Sequence, residues 1–160
     1  MIGVLMLKIK EGTETKGVLR FTFRDAKTNE IIRENRYKNI MTTAYFTMIG
    51  ARLVGGSDDT DITYGAVGTG GAVSPAIGDT TLDTEDTRVV LAARSSSSGI
   101  VSLTAYFGPA DANGTLTEFA WFGNGATGAA DSGTMINHAA ITETKTSSET
   151  MTVDGTLTQS

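Results

Sequence analysis

Val18-LRFTF-Arg24 alternates without a break: Leu19, Phe21 and Phe23 fall on one side, and Arg20, Thr22 and Arg24 on the other. A period of two marks a strand with one dry face and one wet face. Asp25-AKTN-Glu30 supplies turn residues and Glu30-IIRENR-Tyr37 resumes in extended character, so residues 18–37 are expected to form a β-hairpin. The 160-residue chain around it holds 26 threonines and 19 glycines. β-Branched threonine suits half-exposed strands and glycine suits turns, so the chain is expected to be all-β. Its length fits one domain over residues 1–160, large enough to bury a core.

The period changes in Asn39-IMTTAYFTMIGARLV-Gly55, where Met41, Tyr45, Met48, Ile49, Arg52 and Leu53 recur at helical spacing. This predicts one α-helix near residues 40–54, capped by Asn39 or Thr42 and closed by Gly55, long enough to cover an edge or one end of a small sheet. Beyond it lie short strand candidates at 62–67, 88–93, 100–107, 116–122, 134–138 and 151–157. Ser95-SSSG-Ile100 and the Asn-Gly pair in Asp111-ANG-Thr115 are read as tight turns between them. Short strands with glycine-rich turns imply an antiparallel β-sandwich, a jelly roll being one form of it, carrying the single helix. Leu116-TEFAW-Phe122 puts Leu116, Ala120 and Phe122 on one face and Phe119 and Trp121 on the other. With both faces apolar, that strand belongs in the middle of a sheet or at a subunit contact.

The net charge of −5 divides unevenly. Residues 1–39 carry nine Lys/Arg against five Asp/Glu, and residues 40–160 carry four against thirteen. Such polarity suits copies or partners meeting basic face to acidic face, and it disfavours nucleic acid, because most of the chain would repel phosphate. There is no cysteine, so disulfides and thiolate chemistry are excluded. Met1-IGVLM-Leu7 is apolar but stops at Lys8, too short to cross a bilayer or to serve as a signal core. A soluble protein used without export is expected, with no membrane partner. Gly3 and a free end suit residues 1–7 to act as an interface arm. The residues expected at an oligomer or partner interface are therefore Met1, Ile2, Val4 and Leu5 of the arm, with Phe119 and Trp121 of the apolar strand.

Gly65-AVGTGGAVSPAIGDTTLDTED-Thr87 is the stretch that most invites a chemical reading. A dinucleotide loop needs a third glycine where Val73 stands and a helix where Pro75 and turn residues follow, and no glycine in the chain precedes a lysine. These glycines are read as turn positions and close strand contacts. The carboxylates Asp58, Asp59 and Asp61, and Asp79, Asp83, Glu85 and Asp86, lack the spacing of a calcium loop. Asp79 is expected to cap the turn after Gly78, Leu82 to plug the core, and Arg88 to form an exposed pair with Glu85 or Asp86. His138 is the sole histidine, no Gly-x-Ser-x-Gly accompanies it, and it is read as a strand residue. No catalytic, cofactor-binding or metal-binding residues are assigned.

Read in order, Asn39-IMTTA-Tyr45, Tyr64-GAVGT-Gly70, Pro75-AIGDTTLDTEDT-Arg88, Gly114-TLTEFAW-Phe122, Gly133-TMI-Asn137 and Ile141-TETKTSSETMTVDGTL-Thr158 resemble a family of small tailed-bacteriophage virion proteins commonly labelled tail-fibre or tail proteins. The resemblance spans roughly residues 15 to 158 and lies in the order and spacing of the motifs. The chain departs from the family near Asn137 to Ala139 and near Gly155. The resemblance implies an all-β virion component that assembles in copies, a trimer being one such assembly, and it transfers no catalytic residues. The expected role is a structural part of the tail apparatus, namely a fibre, fibre adaptor or baseplate piece, located in the virion and assembled in the host cytoplasm. The alternatives are a capsid decoration protein of the head and a module that binds host surface glycans.

Overall fold

The structure is a computed structural model that describes residues 15–71 and 73–159. The expected arm, Met1, Ile2, Val4 and Leu5 included, lies outside the described residues. The first hairpin forms as read: β1 (Thr15–Asp25) pairs antiparallel with β2 (Ile31–Lys38). Leu19, Phe21 and Phe23 are all buried. The turn between the strands is set by Asp25, whose carboxylate accepts the backbone N–H groups of Lys27 and Thr28, and by Asn29 at φ 61°.

A two-residue strand, β3 (Ile40–Met41), comes next and pairs with His138 and Asn137. The helix is shorter than the periodicity predicts: α1 runs over Thr43–Leu53, about 16 Å. Thr42 is the cap, its hydroxyl accepting the Tyr45 N–H while its own proton goes to the Met135 carbonyl. Residues 40 and 41 are held extended because the β-ladder to residues 137–138 satisfies their backbone. Gly55, at φ 88°, closes the far end by donating to the Arg52 carbonyl.

The remaining strands are β4 (Ile62–Gly68), β5 (Glu85–Ser97), β6 (Ile100–Phe107), β7 (Gly114–Gly123), β8 (Thr134–Met135), β9 (Asn137–Lys145) and β10 (Glu149–Gln159). They join one antiparallel sheet in the order β2-β1-β10-β6-β5-β4-β7-β9-β3, with β8 attached to β7. Among the described residues the fold is an all-β antiparallel sandwich with one helix, curled until it is nearly a closed barrel. The serine tip is narrower than expected, because Ser95 to Ser97 continue the ladder to Ser102, Val101 and Ile100, and only Ser98 and Gly99 turn, both at positive φ.

Where β2 approaches β9 the closure is made by side chains. Arg33, Asn35 and Tyr37 share one face of β2 and reach across to β9 and to the start of β10. Tyr37 Oη donates to Glu143 Oε1 at 2.8 Å and accepts the Thr142 N–H at 3.3 Å. Asn35 Nδ2 donates to the same carboxylate at 2.8 Å. Arg33 donates to Glu149 and to the Thr144 carbonyl, with its guanidinium 3.6 Å from the Phe23 ring centre. Burial, and then the hydrogen bond to the Glu143 carboxylate, push the Tyr37 phenol up.

β7 sits between β4 and β9, the central position its two apolar faces require. A register shift between Leu116 and Glu118 corrects the face assignment: Leu116 joins Phe119 and Trp121 in the interior, while Ala120 and Phe122 form a second cluster with Ala66, Leu82 and Met135. Phe119 and Trp121, expected as contact residues, are 0 % exposed. Each is held within the subunit's own core. The Trp121 ring meets Phe119 edge-on at 4.6 Å, and a Cβ at Gly65 or Gly155 would stand only 2.8 or 2.7 Å from it.

Candidate functional site

Charge buried on β7, β5 and β9 organises one side of the molecule. Glu118, in the middle of the most apolar strand, is 0 % exposed. Its carboxylate accepts three backbone N–H groups from the glycine-rich connector: Gly70 at 3.2 Å, Thr84 at 2.9 Å and Asp83 at 2.9 Å. Gly68 and Gly70 are where this carboxylate needs room, since a Cβ at either would lie 2.4 or 2.9 Å from Glu118 Oε1. The connector thus folds over the outer face of β7 with Leu82, 3 % exposed, inserted beneath it as expected.

His138 completes the arrangement from β9. Its Nε2 lies 3.1 Å from Glu118 Oε2 and its Nδ1 lies 2.7 Å from Asp79 Oδ2. Both ring nitrogens face carboxylates, and both can donate only when the ring carries both protons. Asp79 also accepts the Ala76 N–H at 2.7 Å, which makes it the cap of the turn at Gly78, as the sequence suggests. Burial pulls the Asp79 carboxyl up, but the Ala76 N–H and the His138 hydrogen bond and charge together hold it below its ordinary value.

Glu85 and Arg88 form a second latch. The sequence predicts an exposed pair of small consequence, but their side chains are 3 and 2 % exposed. Arg88 reaches Glu85 through Nε at 2.7 Å and Nη2 at 2.8 Å, and its Nη1 donates to the Ser132 carbonyl at 2.8 Å. The guanidinium lies 4.0 Å from the Phe122 ring centre, and Glu85 accepts the Asp131 N–H. The loop from β7 to β8, carrying Asn124, Gly125, Asp131 and Gly133 at positive φ, folds over the pair and buries it. At the other end of β9, Lys145 donates to the Asp111 carbonyl at 2.9 Å and to Asn113 Oδ1 at 3.1 Å. Burial pushes this ammonium down.

These groups bind one another and loop backbone. The geometry is that of fasteners, each fixing a loop against the sheet. Among the described residues no group of three or more His, Asp or Glu is arranged to hold a metal ion, and no helix is long and apolar enough to cross a membrane. Comparison of the chain with family models, with curated proteins and with solved structures finds no match. Sequence reading reaches Asp79, Leu82 and His138 but misses Glu118. The available signal is a lone carboxylate inside a strand apolar on both faces.

The fasteners predict an acid response. Burial raises the Glu149 carboxyl, but the hydrogen bonds from Arg33 and Thr146 and the Arg33 charge bring it below its ordinary value. For Asp79 and Glu149 the folded pKa lies under the unfolded one. Their contribution is complete above the ordinary carboxylate range, roughly pH 4, and is lost as pH falls through the depressed folded values. Thermal melts followed by circular dichroism from about pH 7 to about pH 2 should show this loss, and Asp79→Asn should remove part of the acid dependence.

Proposed function

We propose that this chain is a structural component of a tailed-bacteriophage particle, a fibre, fibre adaptor or baseplate piece of the tail, that works by assembling with copies of itself and docking to other virion proteins. The observation that carries this reading is the way the buried charged groups are used: Glu118, the Glu85–Arg88 pair and Lys145 each hold a loop to the sheet and Glu143 holds β2 to β9, so that the fold's product is a rigid, shaped surface. The order of motifs from Asn39 to Thr158, similar to that of small phage virion proteins, supports the same reading.

Exposed apolar side chains supply contact area. The outward face of α1 leaves Phe46 and Leu53 in solvent, and Val54 just past its end is exposed too, the last two at 81 and 87 %. Ile77, whose carbonyl accepts the Thr43 N–H at the start of the helix, is also exposed. Exposed apolar residues along one helix and at its ends suit a protein partner.

The test is immunogold labelling of intact particles with an antibody raised against the purified protein. Label on the tail or its tip is the expected result. Label spread over the head would replace the tail by a capsid decoration role, and particles without label would overturn the virion assignment.

A further inference from the structure

The mouth of the barrel beneath α1 is a groove of about 360 Å³, near the lower end of the range for ligand-sized pockets. Tyr45, Ile49, Ile62, Val101, Leu103 and Leu157 give it an apolar floor. Ser96 lies on its edge, and Asp61 and Arg94 pair across its rim at 2.9 Å. We propose that this groove is the seat of the apolar segment Met1–Leu7 of a neighbouring copy, a step that rests on the self-assembly proposed above.

Two observations select this occupant. The first is position: Gly17 stands opposite Leu157, Leu157 opposite Val101, and Val101 opposite Ser96, so the chain enters β1 only two residues from the row that lines the groove. The second is direction and reach. β1 stays paired with β10 up to Thr15 opposite Gln159, so the chain passes the mouth heading outward. The seven residues 8–14 can then carry the apolar segment up to about 25 Å clear of its own groove, where a facing copy presents an identical mouth. Reciprocal exchange of this kind closes on itself, because each copy gives the patch that the other receives. Apolar side chains would fill the floor.

The absence of cysteine allows a direct test. Protein carrying Leu5→Cys, marked by an affinity tag, is mixed with untagged protein carrying Ser96→Cys, dissociated, reassembled and oxidised mildly. The inference expects a tagged-to-untagged disulfide dimer on a non-reducing gel, and its loss when Ser148→Cys, at the opposite end of the strands, replaces Ser96→Cys. A single chain carrying both Leu5→Cys and Ser96→Cys that closes only an internal disulfide would overturn it, since the segment would then seat in its own groove. Oligomeric wild-type protein, with no disulfide formed between the Leu5→Cys and Ser96→Cys chains, would overturn the inference and leave self-assembly standing. A wild-type protein that stays monomeric would overturn both.

Discussion

Replacing Glu118 by alanine is expected to cost about 3–5 kcal/mol of stability, the range for breaking a buried charged interaction. The loss follows from what remains: the Gly70, Asp83 and Thr84 N–H groups and His138 Nε2 would all face an apolar gap. Each abandoned buried donor carries roughly 1–3 kcal/mol of desolvation cost, offset in part where water enters. Glu118→Gln should fall between, because its one carbonyl oxygen cannot accept all that two carboxylate oxygens accept. Urea denaturation gives the magnitude. Hydrogen exchange gives the place: amides of residues 69–84 should lose protection before those of β1 and β10. Equal loss throughout would mean that Glu118 supports the core and does not specifically pin the connector.

Trp121→Ala is expected to cost a similar amount, about 3–5 kcal/mol. The indole ends a row of edge-on aromatic contacts through the interior, Tyr37 to Phe21 at 5.4 Å, Phe21 to Phe119 at 5.5 Å and Phe119 to Trp121 at 4.6 Å. The same row connects the polar seam at β2 with β10. Gly155→Ala should itself cost about 1–3 kcal/mol by overpacking, since its new methyl would press on the ring. Trp121→Phe combined with Gly155→Ala should therefore cost less than the two changes summed, the smaller ring yielding the space. Trp121→Phe alone should be milder than Trp121→Ala for a further reason. The indole Nε1 is buried with no hydrogen-bond partner among the described residues, so deleting it removes an unsatisfied donor. Strict additivity in urea midpoints would show that Gly155 is not small for the sake of Trp121.

The first hairpin is legible in the sequence because β1 obeys the simple rule, apolar inward and polar outward. β9 is legible only to His138 because its inward positions include Glu143 and Lys145 as well as Ala139 and Ile141, so its alternation is not one of hydropathy. Those two charges are buried for reasons written elsewhere in the chain: Tyr37 and Asn35 for Glu143, Asp111 and Asn113 for Lys145. Alternation alone puts Leu116 on the wrong face, because a bulge at Thr117 breaks a period that looks continuous. Asp79 and Leu82 are legible locally, as a turn cap and as an apolar residue amid polar ones. Glu118 and the burial of Arg88 are not. Both depend on loops 34 to 48 residues away folding over the sheet, a pairing that neither composition nor spacing expresses.

The connector that looks like a ligand loop needs Gly68 and Gly70 to make room for Glu118 beneath it, and one of its carboxylates, Asp79, holds His138. The outer surface, with its exposed helix face and barrel mouth, is the part proposed to meet other copies. The mass of the purified protein in solution, measured by light scattering across a range of concentrations, tests this most directly. A defined multiple of the single-chain mass that persists on dilution is the predicted result. A protein that keeps the mass of one chain at every concentration would contradict the account.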